Sequence, residues 1–277
     1  MLIELDLPAF CVVSPLFEAL RIHLAIDSVM NGATPARLFT DDATSPNCAL
    51  IWYGHRILLA GDPDHQSSSA AAADFIASVV IPHELGRGNH WLSLYYEPDQ
   101  WAESIEHDLL PGKSYHRALR QYYACDTRLP DTVDAFSEVP AGMSLQRVDA
   151  KLVGNHALIN LDTLKEEMCS ERPSVDNFLA RSFGVCLIQN SELIGWCLSE
   201  YNSADRCAIG IETREPFQRR GLGTLMTRAM VQIARSASIR EVGWHCWASN
   251  VASGKTALKA GFHHVCNYQS HLIRIKE

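Results

Sequence analysis

The chain has 277 residues, 47% of them hydrophobic and 20% charged, with a formal net charge of −8 at pH 7. That suits one large or two ordinary globular domains with a real core. No apolar run approaches membrane-spanning length, and the acidic balance disfavours nucleic acid as a partner.

The charge is unevenly spread. Residues 1–140 hold 8 Lys and Arg against 19 Asp and Glu, a balance of −11, while residues 141–277 hold 16 against 13, a balance of +3. The acidic half mildly favours a cationic partner, and its plainer reading is ordinary solubilising surface. The nine cysteines are scattered, and neither a Cys-x-x-Cys nor a Cys/His grouping with zinc spacing occurs. We read them as reduced core thiols of a cytoplasmic protein that holds no metal. Glu4 and Asp6 stand where a signal peptide needs a basic start.

In chain order, Ser14-Pro15 predicts a helix start, with Leu16, Leu20 and Leu24 running on to Met30 and Asn31-Gly32 as the stop. Residues 36–40 read as a short strand and 41–47 as a loop. Apolar runs at 49–53 and 56–60 about Gly54-His55 read as a hairpin. Residues 67–81 read as an alanine-rich helix ended by Pro82, followed by a polar loop over 83–90. Residues 91–96 alternate as a strand, 98–110 form a short helix, and 115–125 read as another strand. Pro130, Pro140, Gly142 and several acids give 126–142 the composition of a linker, so domains are expected at 1–135 and 141–277.

In the second half, 143–148 read as a strand, 155–168 and 174–183 as helices, and 184–189 with 193–201 as strands about an Asn190-Ser191 turn. An apolar strand over 207–211 leads through 212–217 into Gln218-Arg219-Arg220-Gly221-Leu222-Gly223-Thr224. Leu222, Leu225, Met226, Ala229 and Ile233 then recur on one helical face. A strand at 241–247, a helix at 250–260 stopped by Gly261-Phe262, and one or two strands over 263–275 complete the chain. Both halves mix hairpins and helices, which leaves open a first half that is a decayed copy of the second.

The strand, glycine-rich loop and helix at 207–233 predict a ligand. The first turn of a helix carries N–H groups with no partner in the helix and the positive end of its dipole, so it suits an anion. Gly221 and Gly223 remove Cβ atoms that would hold a phosphate away, and Arg219 and Arg220 add charge. The plainer alternative is a tight, well-packed turn. The spacing matches neither Gly-x-x-x-x-Gly-Lys-Ser/Thr nor Gly-x-Gly-x-x-Gly.

Two blocks together carry a resemblance. Gln218-Arg219-Arg220-Gly221-Leu222-Gly223 matches Gln/Arg-x-x-Gly-x-Gly/Ala, and Asn250 followed by Ala257-Leu258-Lys259-Ala260-Gly261-Phe262 matches a last helix running from Asn to Lys-x-Gly-Phe. In this order, with one helix and one strand between them, they resemble the GNAT superfamily of acetyl-CoA-dependent N-acetyltransferases over the C-terminal half. The fold class this implies is α/β (α+β): a mixed, mostly antiparallel sheet flanked by helices, joined to a mixed α/β N-terminal domain. By the same resemblance, Gln218 opens the coenzyme A motif. The N–H groups of Arg219, Arg220, Gly221, Leu222, Gly223 and Thr224 would hold the pyrophosphate. The main chain of Ile211 and Thr213 would pair with the pantetheine arm, an N–H there would face the thioester carbonyl, and Asn250 would contact pantetheine from the other side.

Acetyl transfer to an amine calls for a base with a pKa near working pH. His245, on the strand before Asn250, is the first candidate; its plainer reading is a packed strand residue. Glu212 is the second, with a solvated carboxylate paired to Arg214 as the alternative, and Glu200 is the third. The family's acid, a tyrosine of the last helix, corresponds to Ala257, so either Ser253 or Tyr268 replaces it or the coenzyme A thiolate leaves without direct protonation. The adjacent His263-His264 point to opposite faces of a strand and suit packing better than a metal. The expected function is transfer of acetyl from acetyl-CoA to a primary amine of a small molecule, by direct attack in a ternary complex. The −11 balance suggests a cationic acceptor such as a polyamine or amino sugar, with the N-terminal half as one wall of its cleft. A non-catalytic acyl-CoA-binding or regulatory module is the rival, and a longer acyl donor a third reading.

Overall fold

The computed structural model describes residues 1–129 and 134–275. The chain forms two compact units, Met1–Arg120 with Asn267–Glu277, and Gln121–Cys266. In the first lie β1 (Ile3–Leu5), α1 (Phe10–Val13), α2 (Ala25–Met30), β2 (Arg37–Thr40), β3 (Cys48–Tyr53), β4 (Arg56–Gly61), α3 (Gln66–Phe75), α4 (Ile81–Gly86), β5 (Trp91–Glu97) and α5 (Trp101–Ser104). β6 (Ser114–Asp126) runs into the second unit. That unit continues with β7 (Met143–Arg147), α6 (Ala150–Val153), α7 (Leu161–Met168), α8 (Val175–Arg181), β8 (Gly184–Gln189), β9 (Glu192–Ser203), β10 (Arg206–Thr213), α9 (Leu222–Ser236), β11 (Glu241–Trp247) and α10 (Val251–Lys259). The end of β12 (His263–Arg274) belongs to the first unit. The break between units thus falls inside β6, whereas composition placed it at 126–142; Pro130 of that segment lies outside the described residues.

Each unit is built on a mixed, mostly antiparallel sheet. In the first, β1 to β4 pair antiparallel in sequence, β5 joins β4 in parallel, and β12 lies antiparallel to β5. In the second, β7, β8, β9 and β10 pair antiparallel, β11 joins β10 in parallel, and β6 flanks β11. The order is the same in both halves: four antiparallel strands, a helix, a strand parallel to the fourth, a helix, a last strand. Asn190 and Ser191 both take positive φ (50° and 61°), the two-residue turn whose twist matches the strands it joins.

In the second unit the sheet is covered on both faces. Leu222, Leu225, Met226, Ala229, Met230 and Ile233 of α9 are buried against Cys207, Ile209, Val242 and Trp244. Each such Leu, Ile or Met contributes roughly 1.5–3 kcal/mol on burial. The other face of β8 and β9, with Trp196 and Leu198, packs under α6, α7 and α8.

Three elements differ from expectation. The first helical stretch begins at Leu7 as a series of short 3-10 and α turns, so Ser14 lies inside it and caps nothing. The helix over 67–81 does not stop at Pro82. A π turn at Ile76–Val80 shifts the ladder, Ile81 N–H donating to the Ile76 carbonyl, and the helix resumes as α4 with Pro82 in its first turn, where its missing N–H costs little. The helix over 155–168 begins only at Leu161. Before it the Ile159 N–H donates to Ser191 O (2.9 Å) and the Leu193 N–H to Ile159 O (3.0 Å), and Asn160 takes φ 66°.

Candidate active site

β10 and β11 pair only from Arg206/Glu241 to Ile209/Trp244, yet both continue, β10 to Thr213 and β11 to Trp247. On its other side β10 stays paired with β9 as far as Thr213. The Arg214 N–H donates to Ile194 O (3.0 Å), so by antiparallel alternation Glu212 and Arg214 turn their main-chain groups to β9. Those of Ile211 and Thr213 face the gap where β11 has left. The Thr213 carbonyl accepts from Gln218 Nε2 (2.8 Å), which ties the loop to the strand end.

The loop turns through two left-handed residues, Arg219 at φ 61° and Gly221 at φ 80°, before α9 starts. Gln218 N–H still donates to Glu215 O and Leu225 N–H to Gly221 O. Among the described residues, no protein acceptor takes the N–H groups of Arg219 to Thr224. Five of these residues, Arg219 and Gly221–Thr224, line a cleft of about 530 Å³ with Ile211, Thr213, Phe217 and Gln218 on one side, and Trp244, Asn250, Ala252, Ser253, Lys255, Thr256 and Lys259 on the other. Unsatisfied amides at a helix start, with Arg219, Lys255 and Lys259 around them, suit an anion. Arg220 is not part of the lining; its guanidinium lies over the Phe217 ring, 5.9 Å from the centroid.

Across the cleft, Asn250 caps α10, its Oδ1 accepting from the Ser253 N–H (3.0 Å). Trp244 Nε1–H donates to Ser253 Oγ (3.0 Å), which leaves the serine O–H to serve as a donor. Ala257 is fully buried in the core and does not line the cleft. Tyr268 belongs to the first unit, where it meets His23 edge-on (4.9 Å), and it does not line the cleft.

The opposite face of the sheet carries the expected bases. Trp244 faces α10, so alternation turns Gly243 and His245 the other way. The His245 ring stacks on Tyr122 (4.7 Å between centroids, 26°), and Tyr122 Oη donates to Glu241 Oε1 (3.3 Å). Burial, with the Glu241 charge beside it, pushes the Tyr122 phenol up to about 12, so it stays protonated. Gly210 and Glu212 share this face of β10. Glu212 is exposed, and Arg214 pairs with Glu192 instead of with it. Glu200 lies against Gly210: a Cβ built on that glycine would stand 2.1 Å from Glu200 Oε1.

The structure thus brings Ile211, Thr213, Gln218, Arg219, Gly221, Leu222, Gly223, Thr224, Asn250 and Ser253 to one cleft. It sets His245, Glu212 and Glu200 on the reverse face. Sequence reading did not single out Lys255 and Lys259 as cleft residues; the i, i+4 lysines of α10 were the available signal. Among the described residues no group of three or more His, Cys, Asp or Glu is placed to hold a metal ion, and no helix is long and apolar enough to cross a membrane.

A family model described as GNAT acetyltransferase matches residues 14–271. The chain is similar in structure to a GCN5-related N-acetyltransferase-like protein from Streptococcus suis (18% identity, 96% of this chain and 99% of that one, TM-score 0.67). It is similar also to a GCN5-related N-acetyltransferase from Sphaerobacter thermophilus (14%, 100% and 96%, TM-score 0.62), and to a tandem GNAT protein from the clavulanic acid biosynthesis pathway (12%, 100% and 99%, TM-score 0.59). At these identities the likeness is one of fold. No curated protein matches the chain in sequence.

Proposed function

The chain belongs to the GNAT acetyltransferase family, and on that premise we propose that it transfers acetyl from acetyl-CoA to the primary amine of a small molecule. The observation that carries this reading is the row of six N–H groups, Arg219 to Thr224, that donate to no described acceptor, five of them on residues that line the cleft beside the unpaired edge of β10. The coenzyme A diphosphate suits those amides and the lysines of α10. The pantetheine arm suits the edge at Ile211 and Thr213, with Asn250 and Ser253 opposite. An Ile211 N–H turned to the thioester carbonyl would stabilise charge developing on its oxygen. The amine approaches from the reverse face, where His245, Glu212 and Glu200 stand as candidate bases, and carboxylates there favour a cationic acceptor. Ser253, whose oxygen accepts from Trp244 and whose O–H is left to donate, suits protonation of the departing sulfur.

One test combines calorimetry of acetyl-CoA binding with thiol release from acetyl-CoA across a library of primary amines. Binding with amine-dependent thiol release is expected; failure to bind acetyl-CoA sinks the reading. The rival, a non-catalytic acyl-CoA-binding module, draws on Ala257, a buried methyl where the resemblance calls for a tyrosine hydroxyl. Tight binding with no turnover of any amine would establish it.

A further inference from the structure

β9 and β10 change register between Ala208 and Ile209: Ala208 faces Tyr201 and Ile209 faces Ser199. Glu200 is therefore the extra residue of a β-bulge. Bulges re-aim a side chain and add local twist, and this one lies level with the last pair that joins β10 to β11, Ile209/Trp244. The re-aimed carboxylate lies across Gly210, Oε1 at 2.1 Å, Cδ at 3.1 Å and Cγ at 3.6 Å from where a Cβ would be. Any other residue at 210 would expel it. Gly210 immediately precedes Ile211, whose main chain faces the gap.

We propose that Glu200 is the general base that takes the proton from the acceptor ammonium, in a seat that Gly210 keeps clear. The proposal rests on the acetyltransferase reading and deepens it by naming the base. Glu200 is half-buried, close to the splayed edge yet in reach of solvent. Around it stand Glu212 on β10, His245 on β11 with Tyr122 of β6 stacked on its ring, and Glu171 bonded to Tyr201 Oη next along β9. His245 spends one ring face on Tyr122, and Glu212 is exposed near the end of its strand. In the step, an alkylammonium gives one proton to a Glu200 oxygen, which passes it to solvent. The neutral nitrogen attacks the thioester carbonyl carbon, the C–N bond forms and the C–S bond breaks with its electron pair on sulfur. The nitrogen sheds its second proton, and sulfur takes up one proton to leave as the thiol.

The test compares two nucleophiles at high concentration, n-propylamine, which is protonated at neutral pH, and hydroxylamine, which is not. Glu200→Gln is expected to slow acetylation of propylamine about 100-fold or more, to spare hydroxylamine largely, and to leave the acetyl-CoA dissociation constant from calorimetry unchanged. Gly210→Ala is expected to show the same selective loss, with its crystal structure showing the carboxylate displaced. Equal loss with both nucleophiles, loss with neither, or a propylamine-selective loss in His245→Gln and not in Glu200→Gln would each overturn the assignment. A wild-type protein that fails to bind acetyl-CoA would instead overturn the function it rests on.

Discussion

Gly223→Ala separates folding from ligand binding by moving them in opposite directions. Gly223 is the second residue of α9 and has helical backbone, so alanine there removes a helix penalty. Near the helix start this is worth about 0.5–1 kcal/mol of added stability, or roughly 1–4 °C in melting temperature. The new methyl meets no backbone. It stands 3.4 Å from Thr256 Cγ2, 3.7 Å from Thr213 Oγ1 and 3.8 Å from Ile211 Cδ1, all ordinary contacts. Those three residues are walls of the cleft, so the methyl fills its floor beside the amides assigned to the diphosphate. Loss of one charge-assisted hydrogen bond costs about 1.5–3 kcal/mol, a fall in acetyl-CoA affinity of about 10- to 100-fold. Gly221→Ala gives the contrast: nothing lies within 4 Å of its Cβ, but φ is +80°, so the variant should melt lower by about 1–2 kcal/mol of backbone strain. Scanning calorimetry and titration calorimetry on both variants read the two effects. A Gly223→Ala protein that melts higher and binds acetyl-CoA as tightly as the parent would refute the placement of the diphosphate.

Two further outcomes are expected. Burial would raise the Asp41 pKa, but hydrogen bonds from Ser68 Oγ (2.5 Å) and from the N–H groups of Asn47 and Cys48 (3.0 Å each) hold it down at about 2. A depressed carboxylate contributes stability above its unfolded pKa near 4 and loses it as pH falls toward 2; solvent screens this half-buried group, so Asp41→Asn should cost on the order of 1 kcal/mol at pH 7. Urea melts from pH 7 to pH 2 should show that gap closing below pH 4, and a gap constant with pH would refute the argument. Titration calorimetry should give one acetyl-CoA per chain; two equivalents would mean that the first unit keeps a site.

The cleft was legible because its chemistry lies in short contiguous stretches. The left-handed turn, the glycines and the apolar face of α9 all fall within 219–233, and local physics reads them directly. Asn250 was likewise visible, as the start of the helix at 250–260, and the structure makes it the cap. The reverse face was not legible, because it depends on register. Glu200 acquires its position only through one extra residue in β9, and nothing in the order Leu198-Ser199-Glu200-Tyr201 announces a bulge. The π turn before Pro82 escaped for a similar reason: proline signals a stop, and the accommodation lies in the carbonyls of the preceding turn. The loss of 155–160 from a helix reflects main-chain pairing of Ile159 with the distant turn at Ser191, a tertiary contact that overrides propensity.

The repeated element order makes the two units a comparison at fixed topology, and the difference lies in two local choices. In the first unit β4 and β5 stay paired from Arg56/Ser93 to Ala60/Glu97, the last residue or two of each strand, so no main-chain edge is exposed for an extended ligand arm. In the second, pairing of β10 with β11 ends at Ile209/Trp244, four residues short of the end of β10, and the edge is open. The helix starts differ in the same sense. At α3 the Asp64 N–H donates to Asp62 Oδ1 and the Ser68 and Ser69 N–H groups to His65 O, while Asp41, Asp62 and Asp64 gather near the turn. At α9 the N–H groups of Arg219 and Gly221–Thr224 belong to the cleft lining and donate to no described acceptor, with Lys255 and Lys259 around them. A diphosphate offered to the first would meet occupied donors and carboxylate repulsion; offered to the second, it meets open donors and cations. The same strand order therefore supports a packed structural unit or a ligand site, and the choice is made by where one parallel pair stops and by which charges flank one helix start.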